Sequence, residues 1–109
     1  MNRMLTRSVS KSLTDSFECI HDSANFSFIA VNGVKELGRL NYRLSRSKSR
    51  STMDMYHTHT LPEAQGRGIA GKLVSNALEW ARLHQMSVIP SCSYVSSFLE
   101  KNPQWKTLI

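Results

Sequence analysis

The chain has 109 residues, 40% of them hydrophobic, which bounds it to one small domain with a single core. Its net charge is +6, and its two cysteines, Cys19 and Cys92, lack metal-ligand spacing. No apolar run approaches a membrane span or a secretory leader, so membrane helices and a disulfide-stapled scaffold are excluded and a cytoplasmic or nuclear setting is expected.

Residues 1–14 carry Arg3, Arg7 and Lys11 among Thr6, Ser8, Ser10 and Ser12, with no acid. They read as a basic Ser-rich tail, either disordered or an organelle-targeting segment, ahead of one domain over 15–109. Phe17 to His21 predicts a strand and Asp22-Ser23-Ala24-Asn25 a turn. Phe26, Phe28 and Ala30 predict a second strand, closed by the turn at Asn32-Gly33. Lys35 to Leu44 predicts a third, with Gly38, Leu40, Tyr42 and Leu44 on its apolar face and Leu37, Arg39 and Asn41 on the other. The Ser/Arg/Lys segment 45–51 connects it to a fourth, Thr52 to Thr60. Connections this short make the four an antiparallel meander.

Arg39, Arg43, Arg46, Lys48 and Arg50 share a stretch without an acid, which reads as a solvated hairpin and loop. Nucleic acid is not the expected partner, because no aromatic residue is interleaved there as a stacking platform. His57 and His59 alternate on the fourth strand, but two ligands are too few for a metal site.

Pro62-Glu63-Ala64 ends that strand. Beyond the glycine run from 66 to 71, Ala70, Leu73, Val74, Ala77, Leu78 and Ala81 form one helical apolar stripe. Met86 to Pro90 predicts a short strand, parallel to the fourth through a right-handed crossover. A short last helix over Ser93 to Lys101 carries Tyr94, Val95, Phe98 and Leu99, and Asn102-Pro103 stops it. The predicted fold is therefore α+β.

Gln65-Gly66-Arg67-Gly68-Ile69-Ala70-Gly71-Lys72 fits three anion-binding patterns, all of which aim backbone N–H groups of a helix start at phosphate. As G-x-G-x-x-G it lacks the acidic residue about twenty positions on that would hold a ribose. As G-x-x-x-x-G-K it has Leu73 where a magnesium-binding Ser or Thr belongs. As Q-x-x-G-x-A, a pattern of acetyl-coenzyme A binders, Gln65 to Ala70 meets every position. Arg67 and Lys72 flank the loop as cations.

With Asp54-Met55-Tyr56-His57-Thr58, Val88-Ile89-Pro90-Ser91-Cys92-Ser93-Tyr94-Val95 and Lys101-Asn102-Pro103-Gln104-Trp105, this loop makes residues 53–109 resemble the GNAT acetyltransferase superfamily. The likeness is greatest to its minimal branch of about one hundred residues, and the last two stretches are most similar to a plant member. The resemblance implies the minimal GNAT fold: a four-strand meander, a helix, a parallel strand and a short C-terminal helix. It implies an acetyl-CoA-dependent N-acetyltransferase acting on a primary amine, of a protein or a small molecule, with a coenzyme A-binding module without efficient turnover as the alternative. Carried onto this chain, Thr58, His59, Thr60 and Leu61 would meet pantetheine. Gln65, Gly66, Arg67, Gly68, Ile69, Ala70 and Lys72 would hold the pyrophosphate, and Ser91 would lie beside the thioester.

Acetyl transfer needs a deprotonated amine and a proton for the departing thiolate. His57 is the candidate base, with His59 or Glu63 as substitutes, and Tyr94 the candidate acid. Cys92, at the start of the last helix, would protonate the thiolate or carry the acetyl group itself. Each has a plainer alternative: a satisfied sheet histidine, a packed tyrosine, a structural thiol. Full-length superfamily members add two strands beyond the last helix. Here the acceptor side is expected to be open, shaped by the tail, by Trp105 or by a partner chain, in a monomer or weak homodimer.

Overall fold

Alternating apolar and polar residues build a five-stranded sheet in the computed structural model, which describes residues 16–109. The expected tail lies outside the described residues. In chain order the elements are β1 (Glu18–Asp22), β2 (Ser27–Asn32), β3 (Lys35–Ser47), β4 (Arg50–Thr60), α1 (Ile69–Leu83), β5 (Ser87–Ile89) and α2 (Ser93–Lys101). Short 3-10 turns occupy Ser23–Asn25, Pro62–Ala64 and Pro103–Leu108. The strands lie in sequence order; β1 to β4 are antiparallel, and β5 runs parallel to β4. Among the described residues no helix is long and apolar enough to cross a membrane.

Two bulges correct the simple alternation. Ala30 faces Gly38 and Val31 faces Glu36, so Leu37 is the extra residue and both Leu37 and Gly38 are buried. Asn41 faces His57 and Tyr42 faces Met55, which leaves Tyr56 extra. Met53, Met55, Thr58 and Thr60 thereby share the helix-covered face, while His57 and His59 turn to the other.

The 45–51 segment is not a loop. Ser45 pairs with Thr52, Arg46 with Ser51 and Ser47 with Arg50 around a turn at Lys48-Ser49. Ladder bonds and the Ser45–Thr52 hydroxyl contact hold a segment without an apolar face. Arg39 is paired to Glu36 at 2.8 Å, and the Arg43 guanidinium lies 4.1 Å over the Tyr56 ring, so the exposed cationic end reduces to Arg46, Lys48 and Arg50. Leu44, expected on the apolar face, is exposed where the hairpin runs past β2. Phe26, expected to begin β2, instead ends the preceding turn in a left-handed conformation and is exposed.

The α1 stripe starts at Ile69, one residue before the expected Ala70, and continues through Leu73, Val74, Ala77, Leu78 and Ala81. Burial of Leu73, Val74 and Leu78 contributes roughly 1.5–3 kcal/mol each. These residues pack on Phe28, Ala30, Leu40, Tyr42, Met53 and Met55. At one end of this core the His21 ring stacks on Phe28 with centroids 4.1 Å apart, and its Nε2 lies 2.6 Å from the Tyr42 hydroxyl. Trp80 closes the cluster edge-on to His21, and Trp105 packs part-buried elsewhere on the core, so both tryptophans are packing residues. α2 buries Val95 and Leu99 on the same side as α1. The opposite sheet face, with Ile20, Ile29, Arg39, Asn41, His57 and His59, is covered by no helix among the described residues.

Candidate functional site

β4 ends where Leu61 N–H bonds Leu37 C=O at 2.9 Å. Pro62 then sets a 3-10 turn, closed by Ala64 N–H on Leu61 C=O. Gln65 is extended, and its side-chain amide donates to Thr60 C=O at 3.2 Å, tying the loop to the strand. Gly66 and Gly68 take φ of +81° and +77°, a region closed to most side chains, and Gly68 is the N-cap of α1. Without a side chain it leaves the first N–H groups of α1 uncapped. No acid lies in that first turn. The positive end of the helix therefore faces outward unopposed.

Helix and strand are drawn together at Gly38. A Cβ there would sit 3.0 Å from His59 C=O and 3.1 Å from Ile69 Cγ2. Only a glycine lets the first turn of α1 rest on β3, a feature that a lone glycine inside an apolar strand hints at without fixing.

β4 and β5 pair only from Thr52 to Asp54 and then part. The last link is Cys92 N–H on Met55 C=O at 3.0 Å. Between the end of β4, the glycine loop and the start of α1 lies a cavity of about 390 Å³. Its walls are Thr58, His59 and Thr60 of β4, then Ala64, Gln65, Gly66 and Gly68 of the loop, Ile69 and Ala70 of α1, and Tyr94 of α2. Every lining residue except Ala64 belongs to the expected set; Ala64 read only as the end of a strand. Leu61, Arg67, Lys72, Ser91, Cys92 and His57 lie outside the lining. Arg67 and Lys72 are exposed, and the Lys72 charge is felt at Cys19. Glu63 is ion-paired to Lys35 at 3.0 Å.

Cys92 sits at the N-cap of α2, its Sγ 3.5 Å from Thr58 Oγ1, so Thr58 links the cavity wall to the thiol. Burial pushes this thiol up, but the Thr58 hydroxyl and the backbone N–H groups of Val95, Tyr94 and Thr58 outweigh it, and the net pKa falls below the ordinary thiol value. The neutral thiol completes no cap hydrogen bond; the amides act by favouring the thiolate. Cys19 moves the other way: burial raises it, against a smaller pull from Lys72.

A helix start that presents uncapped N–H groups beside two parting parallel strands defines the class, an α+β domain of acyltransferase architecture. A family model described as GCN5-related N-acetyl-transferase matches residues 26–108, and the chain belongs to that family. Its fold is similar to that of a GCN5-like candidate N-acetyltransferase from Staphylococcus aureus, with TM-score 0.64 and 24% identity over 84% of this chain and 85% of that one. Two aminoglycoside acetyltransferases from uncultured soil metagenomic samples share it more distantly. HMB0005 has TM-score 0.53 and 21% identity over 59% of this chain and 43% of its own, and meta-AAC0020 has 0.57 and 15% over 73% and 55%. The matched part of this chain spans about half the length of those two proteins.

Proposed function

We propose that this acetyltransferase domain takes acetyl-CoA as donor and a primary amine as acceptor. The observation that carries the proposal is the cavity that runs from the uncapped start of α1 along Thr58–Thr60 toward Cys92. The residues fit the donor: a Cβ at Gly66 or Gly68 would meet no atom within 4 Å, so the space before the helix N–H groups is open, and no acid opposes an anion there. Gly66 to Ala70 would hold the pyrophosphate, with Arg67 and Lys72 at its flanks. Thr58, His59 and Thr60 would line the pantetheine arm.

When bound, acetyl-CoA supplies the acetyl group as a thioester whose C–S bond breaks as the C–N bond to the amine forms. His57, on the uncovered sheet face, would accept the proton released by the amine. Tyr94 or Cys92 would protonate the departing thiolate. The lowered pKa of Cys92 suits a group that gives up its proton readily, and equally a thiolate that carries the acetyl group before the amine does. A second reading, a coenzyme A-binding module without efficient turnover, is favoured by one observation: β4 turns the His57 side chain to the face opposite Thr58.

Calorimetry with acetyl-CoA, followed by intact-mass analysis with an amine panel, tests both. Binding and transfer, both lost in Gly68→Glu with folding retained, support the enzyme. Binding with no transfer to any amine supports the module. Undiminished turnover in Gly68→Glu sinks the assignment of the loop.

A further inference from the structure

The projecting end of the β3–β4 hairpin has no part in the cavity. β2 leaves β3 at Ser27, which pairs with Asn41, yet β3 runs on to Ser47. On that side the Tyr42 N–H is held by Phe26 C=O at 3.0 Å. By the two-residue period of a strand, the next outward-pointing N–H and C=O groups belong to Leu44 and Arg46. Among the described residues no strand pairs with this edge.

At the head of the free edge lies a cavity of about 300 Å³, walled by Asn25, Phe26, Tyr42, Arg43, Leu44 and Tyr56. Two of its walls are exposed aromatic rings, Phe26 and Tyr56. Phe26 is held there in a left-handed conformation, φ 51° and ψ 52°, which a bulky residue rarely adopts. The Arg43 guanidinium stacked on Tyr56 stiffens the other wall. Further along stand Arg46 and Lys48, both exposed, with Arg50 across the turn donating to the Ser87 hydroxyl at 3.1 Å, and no acid lies in the hairpin between Arg43 and Arg50.

We propose that this edge binds an acidic polypeptide segment, extended as an additional strand, with one aromatic or large aliphatic side chain seated between Phe26 and Tyr56. Unpaired backbone groups would give such a segment its affinity and the socket its specificity. The cations choose among occupants. They repel a second copy of the same edge, and they repel residues 1–14, which carry Arg3, Arg7 and Lys11 and no acid. A nucleic acid would satisfy the cations but leave the strand edge unused; an acidic peptide satisfies edge, socket and charge together. This surface is separate from the coenzyme A cavity, so the proposal stands or falls independently of acetyl transfer.

Fluorescence anisotropy of the full chain tests it with a labelled peptide of alternating Glu and Thr and a single Phe near one end. Controls are the same peptide N-methylated at alternate residues and a thymidine oligonucleotide. Binding is expected to weaken about ten-fold for the N-methylated peptide and for Leu44→Pro, which removes one outward N–H and leaves the β4 ladder intact. Combined Arg46→Gln, Lys48→Gln and Arg50→Gln flattens the salt dependence. Phe26→Gly, which relieves the left-handed strain while emptying one wall of the socket, weakens binding with folding retained. Should Leu44→Pro unfold, amide shifts of the unaltered chain decide: peptide-induced changes centred on Leu44 and Arg46 support the edge. Absence of peptide binding, shifts centred elsewhere, equal binding of the N-methylated peptide, or tighter binding of the oligonucleotide than of the peptide overturns the proposal.

Discussion

Gly68 separates the stability of this domain from its ligand chemistry. At φ +77° and ψ 13°, its backbone is left-handed, and an added Cβ meets no protein atom within 4 Å. Gly68→Ala therefore loses no packing, and its cost is that of placing an L side chain in that region, about 1–2 kcal/mol. Each kcal/mol lowers Tm by about 4–8 °C in a domain this small, so a fall of about 4–16 °C is expected by calorimetry or circular dichroism. The same Cβ would project into the space before the α1 N–H groups, so affinity for acetyl-CoA falls by about ten-fold or more. Gly68→Asn refines the test, because asparagine tolerates the left-handed region far better. Its Tm should stay close to that of the unaltered chain while the ligand-induced rise in Tm disappears. If Gly68→Asn binds acetyl-CoA undiminished, the loop is not the anion cradle. If Gly68→Ala leaves Tm unmoved, the backbone conformation assigned to Gly68 is wrong.

Three further outcomes are expected. Iodoacetamide should modify Cys92 before Cys19 near neutral pH, because the Thr58 hydroxyl and the α2 amides lower one thiol while burial raises the other; peptide mass spectrometry reads the order, and Thr58→Val should shift the Cys92 profile to higher pH. His21 is lowered from 6.5, chiefly by burial, against an opposing rise from Asp22 and with a lesser lowering from His84. The unfolded chain therefore binds this proton first: the stability His21 contributes is full above 6.5 and is lost as pH falls through the folded value, so urea midpoints should drop between about pH 7.5 and pH 5.5 and flatten in His21→Gln. Gly38→Ala should destabilise by about 1–3 kcal/mol, because its Cβ meets the His59 carbonyl at 3.0 Å and Ile69 Cγ2 at 3.1 Å; a denaturant midpoint equal to that of the unaltered chain would show that the helix start does not rest on β3.

The elements that carry strong periodic signals were legible in the sequence. The Leu73-Val74-Ala77-Leu78-Ala81 stripe, the short parallel strand at 87–89 and the helix from Ser93 follow from spacing and stop signals alone. The place of the glycine loop at the start of α1 was legible because three glycines before a strong helix need a reason, here the positive φ of Gly66 and Gly68. What escaped depends on cross-strand register. Nothing in Lys35 to Leu44 announces that Leu37 is the odd residue against Ala30 and Val31, since both strands alternate acceptably without a bulge. The hairpin beyond Leu44 was hidden for another reason: its ladder is stabilised by backbone bonds and hydroxyl contacts, which leave no apolar trace.

The bulge at Tyr56 decides which side chains of β4 face the cavity. Without it, alternation from Met53 and Met55 would put His57 and His59 on the helix-covered face and Thr58 and Thr60 on the open one. With it, Thr58 and Thr60 turn to the cavity and His57 and His59 to the uncovered side, although His59 also counts among the residues that line the cavity. The bulge therefore sets which residues of β4 share each face. Hydroxyl-bearing residues face the side where the α1 N–H groups and Cys92 lie, and the imidazoles face the side that no helix covers among the described residues. A proton taken from an amine by His57 and a proton given by Cys92 or Tyr94 would then travel on opposite faces of one strand. That arrangement has a consequence. Deleting Tyr56 should remove the bulge and leave both faces as they are, because Met55 inward, His57 outward and Thr58 inward is then simple alternation. The folded variant should therefore keep the Thr58–Cys92 contact, the depressed Cys92 reactivity profile and acetyl-CoA binding. Loss of both with folding retained would mean that Tyr56 itself, and not the facing of β4, builds the site.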